Sequence, residues 1–194
     1  MKRSDLKLEQ PFKKGHQLKQ FTYPAYKLSA ASHEVKLIYT GFLIFVAIGM
    51  LTIGLYQFKR IGATYDLVVA YYLGGDLGQE MAYPKTFTQL LETTHFHAFI
   101  MGISFLTLAH LFIATSLGPR VKWSFLGLAF FSSLVDIAGP WLIRYLSPAF
   151  ALLQLVSWFA MWLGYGALIL LPLYEMWGKG WEHRSPRSSR APSP

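Results

Sequence analysis

Of 194 residues, 53% are hydrophobic, and about 61% are apolar once the 16 glycines are added, above the roughly 45–50% of an average soluble chain. Charged residues make up 14% against about 25% on average; the excess of 18 Lys and Arg over 10 Asp and Glu flanks apolar blocks and forms no groove-sized patch, so no nucleic-acid partner is expected. With no cysteine, disulfides, Fe–S clusters, thiolate nucleophiles and covalent c-type haem are excluded.

In chain order, residues 1–34 are a basic polar tail without the short apolar stretch and cleavage site of a secretory signal, so the first span is expected to stay as an anchor. A spanning helix needs about 20 mostly apolar residues. Segments 35–58, 95–116, 123–145 and 149–177 meet that requirement. The expected fold class is therefore an all-α integral membrane protein with four transmembrane helices in a domain over 35–177. Fourteen of the 18 basic residues fall in the two tails, at the very start of the first span (Lys36) and in the loop after the second span. Both termini are thus expected in the cytoplasm, and the 59–94 loop outside. A multi-pass protein of a cell inner membrane follows, its basic tail touching anionic lipid.

Within the external loop, ATYDLVVAYYLGG spaces Tyr65, Leu67, Val68, Tyr71 and Tyr72 as a short helix on the membrane surface, ended by Gly74 and Gly75. PKTFTQLLETTHFH is expected to start a helix at Pro84 that runs into the second span. In the third span, Gly139-Pro140 is expected to kink or end the helix and free backbone carbonyls near Asp136. Gly41, Gly49, Gly54, Gly164 and Gly166 are expected at close helix contacts. The tail over 178–194 closes on RSPRSSRAPSP, a composition expected to stay disordered.

Polar residues inside a span are costly and point to function. His16, His33 and His183 belong to the tails and read as ordinary polar residues. His95, His97 and His110 share the second span; thirteen residues separate the last two, roughly 20 Å along a helix. That distance suits imidazoles ligating two b-type haems stacked across a membrane. At about 100° per residue His95 and His97 point apart and cannot share a metal. Glu92 and His95 form an i, i+3 carboxylate–imidazole pair of the ferritin-like kind, a candidate mononuclear metal site.

In architecture the four spans resemble the four-helix di-haem cytochrome b subunits that pass electrons between quinone and a peripheral protein. The resemblance implies haem b held between histidines of different helices. The first, third and fourth spans carry no histidine, so second ligands would come from another subunit, a second copy of this chain, Met50 or Met161. A five-coordinate pigment such as bacteriochlorophyll would need only one histidine.

Asp136 lies about nine residues from the outer end of the third span, on the order of 13 Å deep, with Gln154 at comparable depth from the outer end of the fourth. Asp136, Gln154, Ser132, Ser133 and the outer histidines could form a polar pocket for a quinone headgroup, among Phe130, Phe131, Trp141 and Phe150. Alternatively Asp136 tethers the bundle through a Tyr or His. Two functions follow: an integral subunit of a respiratory or photosynthetic electron-transfer complex, binding haem b or pigment with quinone as a partner; or a cofactor-free accessory subunit that docks partner subunits of a membrane complex.

Overall fold

The computed structural model describes residues 27–78 and 80–178. Its elements are α1 (His33–Arg60), α2 (Tyr65–Leu73), a two-stranded hairpin of β1 (Gly75–Asp76) and β2 (Met81–Ala82), then α3 (Phe87–Ile113), α4 (Pro119–Tyr145) and α5 (Phe150–Trp177). α1, α3, α4 and α5 are long and apolar enough to cross a membrane. The protein is an all-α, multi-pass membrane protein, and its natural surroundings are a lipid bilayer. Tails 1–26 and 179–194, which hold His16, His183 and the expected disordered end, lie outside the described residues.

Local chemistry sets the helix ends. Ser32 and Thr64 accept the N–H groups of Val35 and Leu67 and so cap α1 and α2. Thr86 and Gln89 form a reciprocal capping box, which starts α3 at Phe87, eight residues before the expected span. At 27 residues, α3 is about 40 Å long and exceeds the roughly 30 Å apolar core of a bilayer. At its other end α3 stops at Ile113, three residues short of the expected 116. There the Lys122 ammonium donates to the Ile113 and Thr115 carbonyls, each at 2.6 Å. Gly74, at φ 90°, closes α2 in a backbone region that side chains disfavour.

α4 does not end at Gly139-Pro140, contrary to one expectation from the sequence: it runs through Pro140 to Tyr145. Proline removes one helical N–H, and packing on both sides holds the helix together. The carbonyl released is that of Asp136 itself, four residues earlier.

α5 is the centre of the bundle, with α4 its closest neighbour and α3 packed against both. Leu108, Phe112, Ala129, Leu168 and Met176 are buried in the main core; Met161 packs there too, and Met50 lies against it. Gly164 faces the backbone of Ala129, the close approach expected of a small residue. Gly54 lies against Trp162, whereas Gly41, Gly49 and Gly166 face open space. α1 is peripheral: 6% of its most apolar stretch is buried, against 44% for α5.

One side of the bundle is closed by α2, whose Val68 and Tyr72 are buried with Leu90, Ile143, Ala151 and Trp158. α2 thus docks on the ends of α4 and α5 as a cover. On the opposite side Glu175, 3% exposed, accepts the N–H and hydroxyl of Ser116. Leu28, inside the segment expected to be a polar tail, is fully buried, and its N–H donates to the Ala114 carbonyl. The folded domain therefore begins before residue 35.

Candidate ligand cavity beneath the α2 cover

Beneath α2 lies a cavity of about 460 Å³. Tyr56 and Gln57 of α1 form one wall; Glu92, Phe96 and His97 of α3 form the next. Tyr71, Tyr72 and Lys85 roof it, and Asp136, Pro140 and Trp158 make its floor.

Asp136 is 7% exposed. Its Oδ1 accepts two bonds from α5, from Gln154 Nε2 at 2.7 Å and Trp158 Nε1 at 2.8 Å. Residues 154 and 158 are one turn apart, so both reach the same oxygen from one helix face. The tether expected of Asp136 therefore exists, but to an amide and an indole, not to a Tyr or His. Gly139 leaves room for the Gln154 side chain, which a Cβ there would strike.

His97 Nδ1 lies 2.8 Å from the Thr93 carbonyl. A carbonyl only accepts, so Nδ1 is committed as a donor there, and Nε2 is the nitrogen left to meet a ligand. Tyr72 is held beside this group. Burial, with the Asp136 charge as a smaller cause, pushes its phenol well above the usual tyrosine range, so it stays a donor. Burial, then the nearby Arg60, lowers the Lys85 ammonium from its ordinary value. That ammonium sits 4.1 Å over the Tyr71 ring, and the Lys85 backbone is bonded to Tyr72 and Arg144. The roof is thereby tied to both α2 and α4. The Arg60–Glu80 pair at 3.1 Å is exposed on both sides and adds little.

The cavity brings together His97, Asp136 and Glu92 of the residues singled out from sequence. His95 points away, with its ring 5.2 Å from Phe99, and among the described residues no group of three or more His, Asp or Glu could hold a metal ion. His110 is exposed on α3, and its Nδ1 lies 2.9 Å from the Leu106 carbonyl. Ser132 and Ser133 bond the Ala129 carbonyl on their own helix, and Ser133 also meets the Tyr165 hydroxyl at 3.0 Å. Neither lines the cavity. Gln154 stands behind Asp136. Trp141 bonds Thr94 at 2.8 Å, and Phe130 and Phe131 face outward; the aromatic walls are instead Tyr56, Tyr71, Tyr72, Phe96 and Trp158. Trp158 was the main omission from the sequence reading. Its signal was the four-residue spacing from Gln154.

Residues 62–183 match a family model described as a transmembrane helical domain. That range takes in α2 through α5 and leaves out α1. No curated protein and no solved structure matches the chain.

Proposed function

The chain belongs to the Aq_1264_TM family of transmembrane helical domains, and from the cavity that α1 and this domain enclose we propose that it is an integral subunit of an electron-transfer complex, binding a quinone-type headgroup. The observation that carries this reading is the convergence of His97, Asp136 and Tyr72 on one aromatic-walled cavity. A quinone headgroup is a flat ring with an oxygen at each end, so it needs polar partners on opposite sides and apolar faces between. Tyr72 supplies a donor; His97 Nε2 and Asp136 supply acceptors.

A second feature favours a tetrapyrrole, haem b or bacteriochlorophyll, as a further cofactor. His110 spends its Nδ1–H on the Leu106 carbonyl four residues earlier, the arrangement that orients an imidazole to ligate through Nε2. His110 faces outward among exposed Ile103, Leu106 and Ile113, so its haem or pigment would lie between this chain and a second copy or another subunit.

One preparation tests both. Protein purified in mild detergent should carry isoprenoid quinone, with His97→Leu losing most of it at equal expression. A pyridine haemochrome assay should find haem in the wild type, with less haem per protein in His110→Ala at equal expression. A colourless, quinone-free protein would leave the docking, cofactor-free subunit as the better reading.

The orientation proposed is an inner-membrane one, with the basic tails in the cytoplasm and α2 outside. A reporter fused after Pro194 should be active only in the cytoplasm, and one inserted near Gly75 only outside. Cytoplasmic activity of the Gly75 insertion would overturn it.

A further inference from the structure

A groove of about 590 Å³ runs along the flank of the α4–α5 pair and shares no lining residue with the cavity beneath α2. Its α4 side includes Ser124, Gly127, Phe131 and Val135, residues three or four apart and therefore on one helix face. Val156, Ser157 and Ala160 of α5 form the other side. A Cβ at Gly127 would meet nothing within 4 Å, so this glycine leaves a notch one turn from Trp123 and one turn from Phe131, both of them exposed. The floor asks for no polar partner: the Ser132 hydroxyl donates to the Ala129 carbonyl and the Ser157 hydroxyl to the Gln154 carbonyl, each within its own helix. A neighbouring transmembrane helix would gain from hydrogen bonds across the contact, and these serines have already committed theirs. A hydrocarbon chain needs none.

The mouth of the groove carries charge. Arg120 lies one turn before Ser124 on the same face of α4, and its guanidinium has no ion-pair partner among the described residues. Lys122 nearby is committed to the Ile113 and Thr115 carbonyls, which leaves Arg120 as the available cation at this mouth. Trp123 beside it is 76% exposed, an indole of the kind that marks the boundary between headgroups and hydrocarbon. The Asp136 bonds to Gln154 and Trp158 set the α5 side of the groove near the level of Asp136. From Trp123 to that level is thirteen residues of helix, roughly 20 Å. One leaflet of a roughly 30 Å hydrocarbon core is about 15 Å deep, so a single acyl chain entering at Trp123 has the length to fill the groove. We propose that the groove binds an anionic phospholipid, with one acyl chain laid over Gly127 between Phe131 and Val156 and the headgroup phosphate paired with Arg120. A zwitterionic lipid brings its own cation to its phosphate, so the Arg120 charge counts in full only toward an anionic one. This site is independent of the quinone-type reading of the cavity beneath α2.

The test is native mass spectrometry of the full chain, delipidated in mild detergent and then incubated with equimolar dioleoyl phosphatidylglycerol and dioleoyl phosphatidylcholine. The wild type should retain phosphatidylglycerol in preference by about fivefold, the worth of one basic residue against an anionic lipid. Arg120→Gln should retain the two lipids equally. Gly127→Leu fills the notch with a side chain and should lose most of the retained phosphatidylglycerol. Gly102→Leu on α3, whose Cβ likewise meets nothing within 4 Å, lies outside the groove and should bind as the wild type does, which separates a filled groove from a mere change of surface. Equal retention of the two lipids by the wild type, an unchanged preference in Arg120→Gln, or full retention by Gly127→Leu overturns the proposal. So does a wild type that carries no lipid, or one that forms a lipid-free oligomer which Gly127→Leu splits; in that last case the occupant of the groove is a neighbouring helix.

Discussion

Asp136→Ala should destabilise the bundle by about 2–4 kcal/mol, because it leaves two buried donors, Gln154 Nε2 and Trp158 Nε1, without their shared acceptor, at about 1–3 kcal/mol for each orphaned group. Relief of the cost of burying a carboxylate offsets part of this loss, which keeps the expected value below the simple sum. Asp136→Asn retains an oxygen in the same place and should cost less than about 1 kcal/mol, since it exchanges a charged acceptor for a neutral one. Unfolding in mixed detergent micelles, followed by tryptophan fluorescence, gives both numbers. Equal losses in the two variants would mean that charge, and not the shared oxygen, holds α4 to α5.

Gly164→Ala should also destabilise, by about 1–3 kcal/mol, through overpacking. A Cβ there would stand 2.9 Å from the Ala129 backbone nitrogen and 3.0 Å from its Cα, and backbone atoms cannot move aside as a flexible side chain can. Gly166→Ala is the internal control. Two residues along the same helix it meets nothing within 4 Å, so the higher helix propensity of alanine should leave it neutral or stabilise it by up to about 1 kcal/mol. Opposite signs at two glycines so close in sequence are the expected result; a neutral or stabilising Gly164→Ala would show that α4 and α5 do not approach at Gly164.

Much of the framework was legible because two physical signals are strong in sequence: apolar runs long enough for a bilayer, and the 3.6-residue pattern of Tyr65 to Tyr72. His97 and Asp136 stood out because a polar group in hydrocarbon is expensive. What stayed hidden depends on which faces meet. Ser132 and Ser133 looked like pocket residues, yet their hydroxyls are satisfied by the Ala129 carbonyl of the preceding turn, an option any helical serine has. Gly41, Gly49 and Gly166 carried the same small-residue signal as Gly164 without a neighbour to meet. Conversely Leu28 sat in the segment expected to be a polar tail, and only the folded arrangement shows it filling the core. The early start of α3 was legible in PKTFTQLLETTHFH, expected to run as a helix from Pro84 into the second span; the capping box of Thr86 and Gln89 sets that start at Phe87.

The contrast between α1 and the α4–α5 pair bears on how the protein enters its membrane. Between Tyr145 and Phe150 only four residues intervene, and the two helices share the closest packing in the fold, so they can cross the bilayer together as one hairpin. α1 is joined to α3 through a covering helix and a strand pair, and little of it is buried against its neighbours. Since lipid tails solvate its leucines and phenylalanines as well as a protein interior would, partitioning holds α1 in place more than contact does. A helix so held can shift sideways at small cost, and because Tyr56 and Gln57 form a wall of the cavity, such a shift would open it to the hydrocarbon, the phase from which an isoprenoid-tailed molecule arrives.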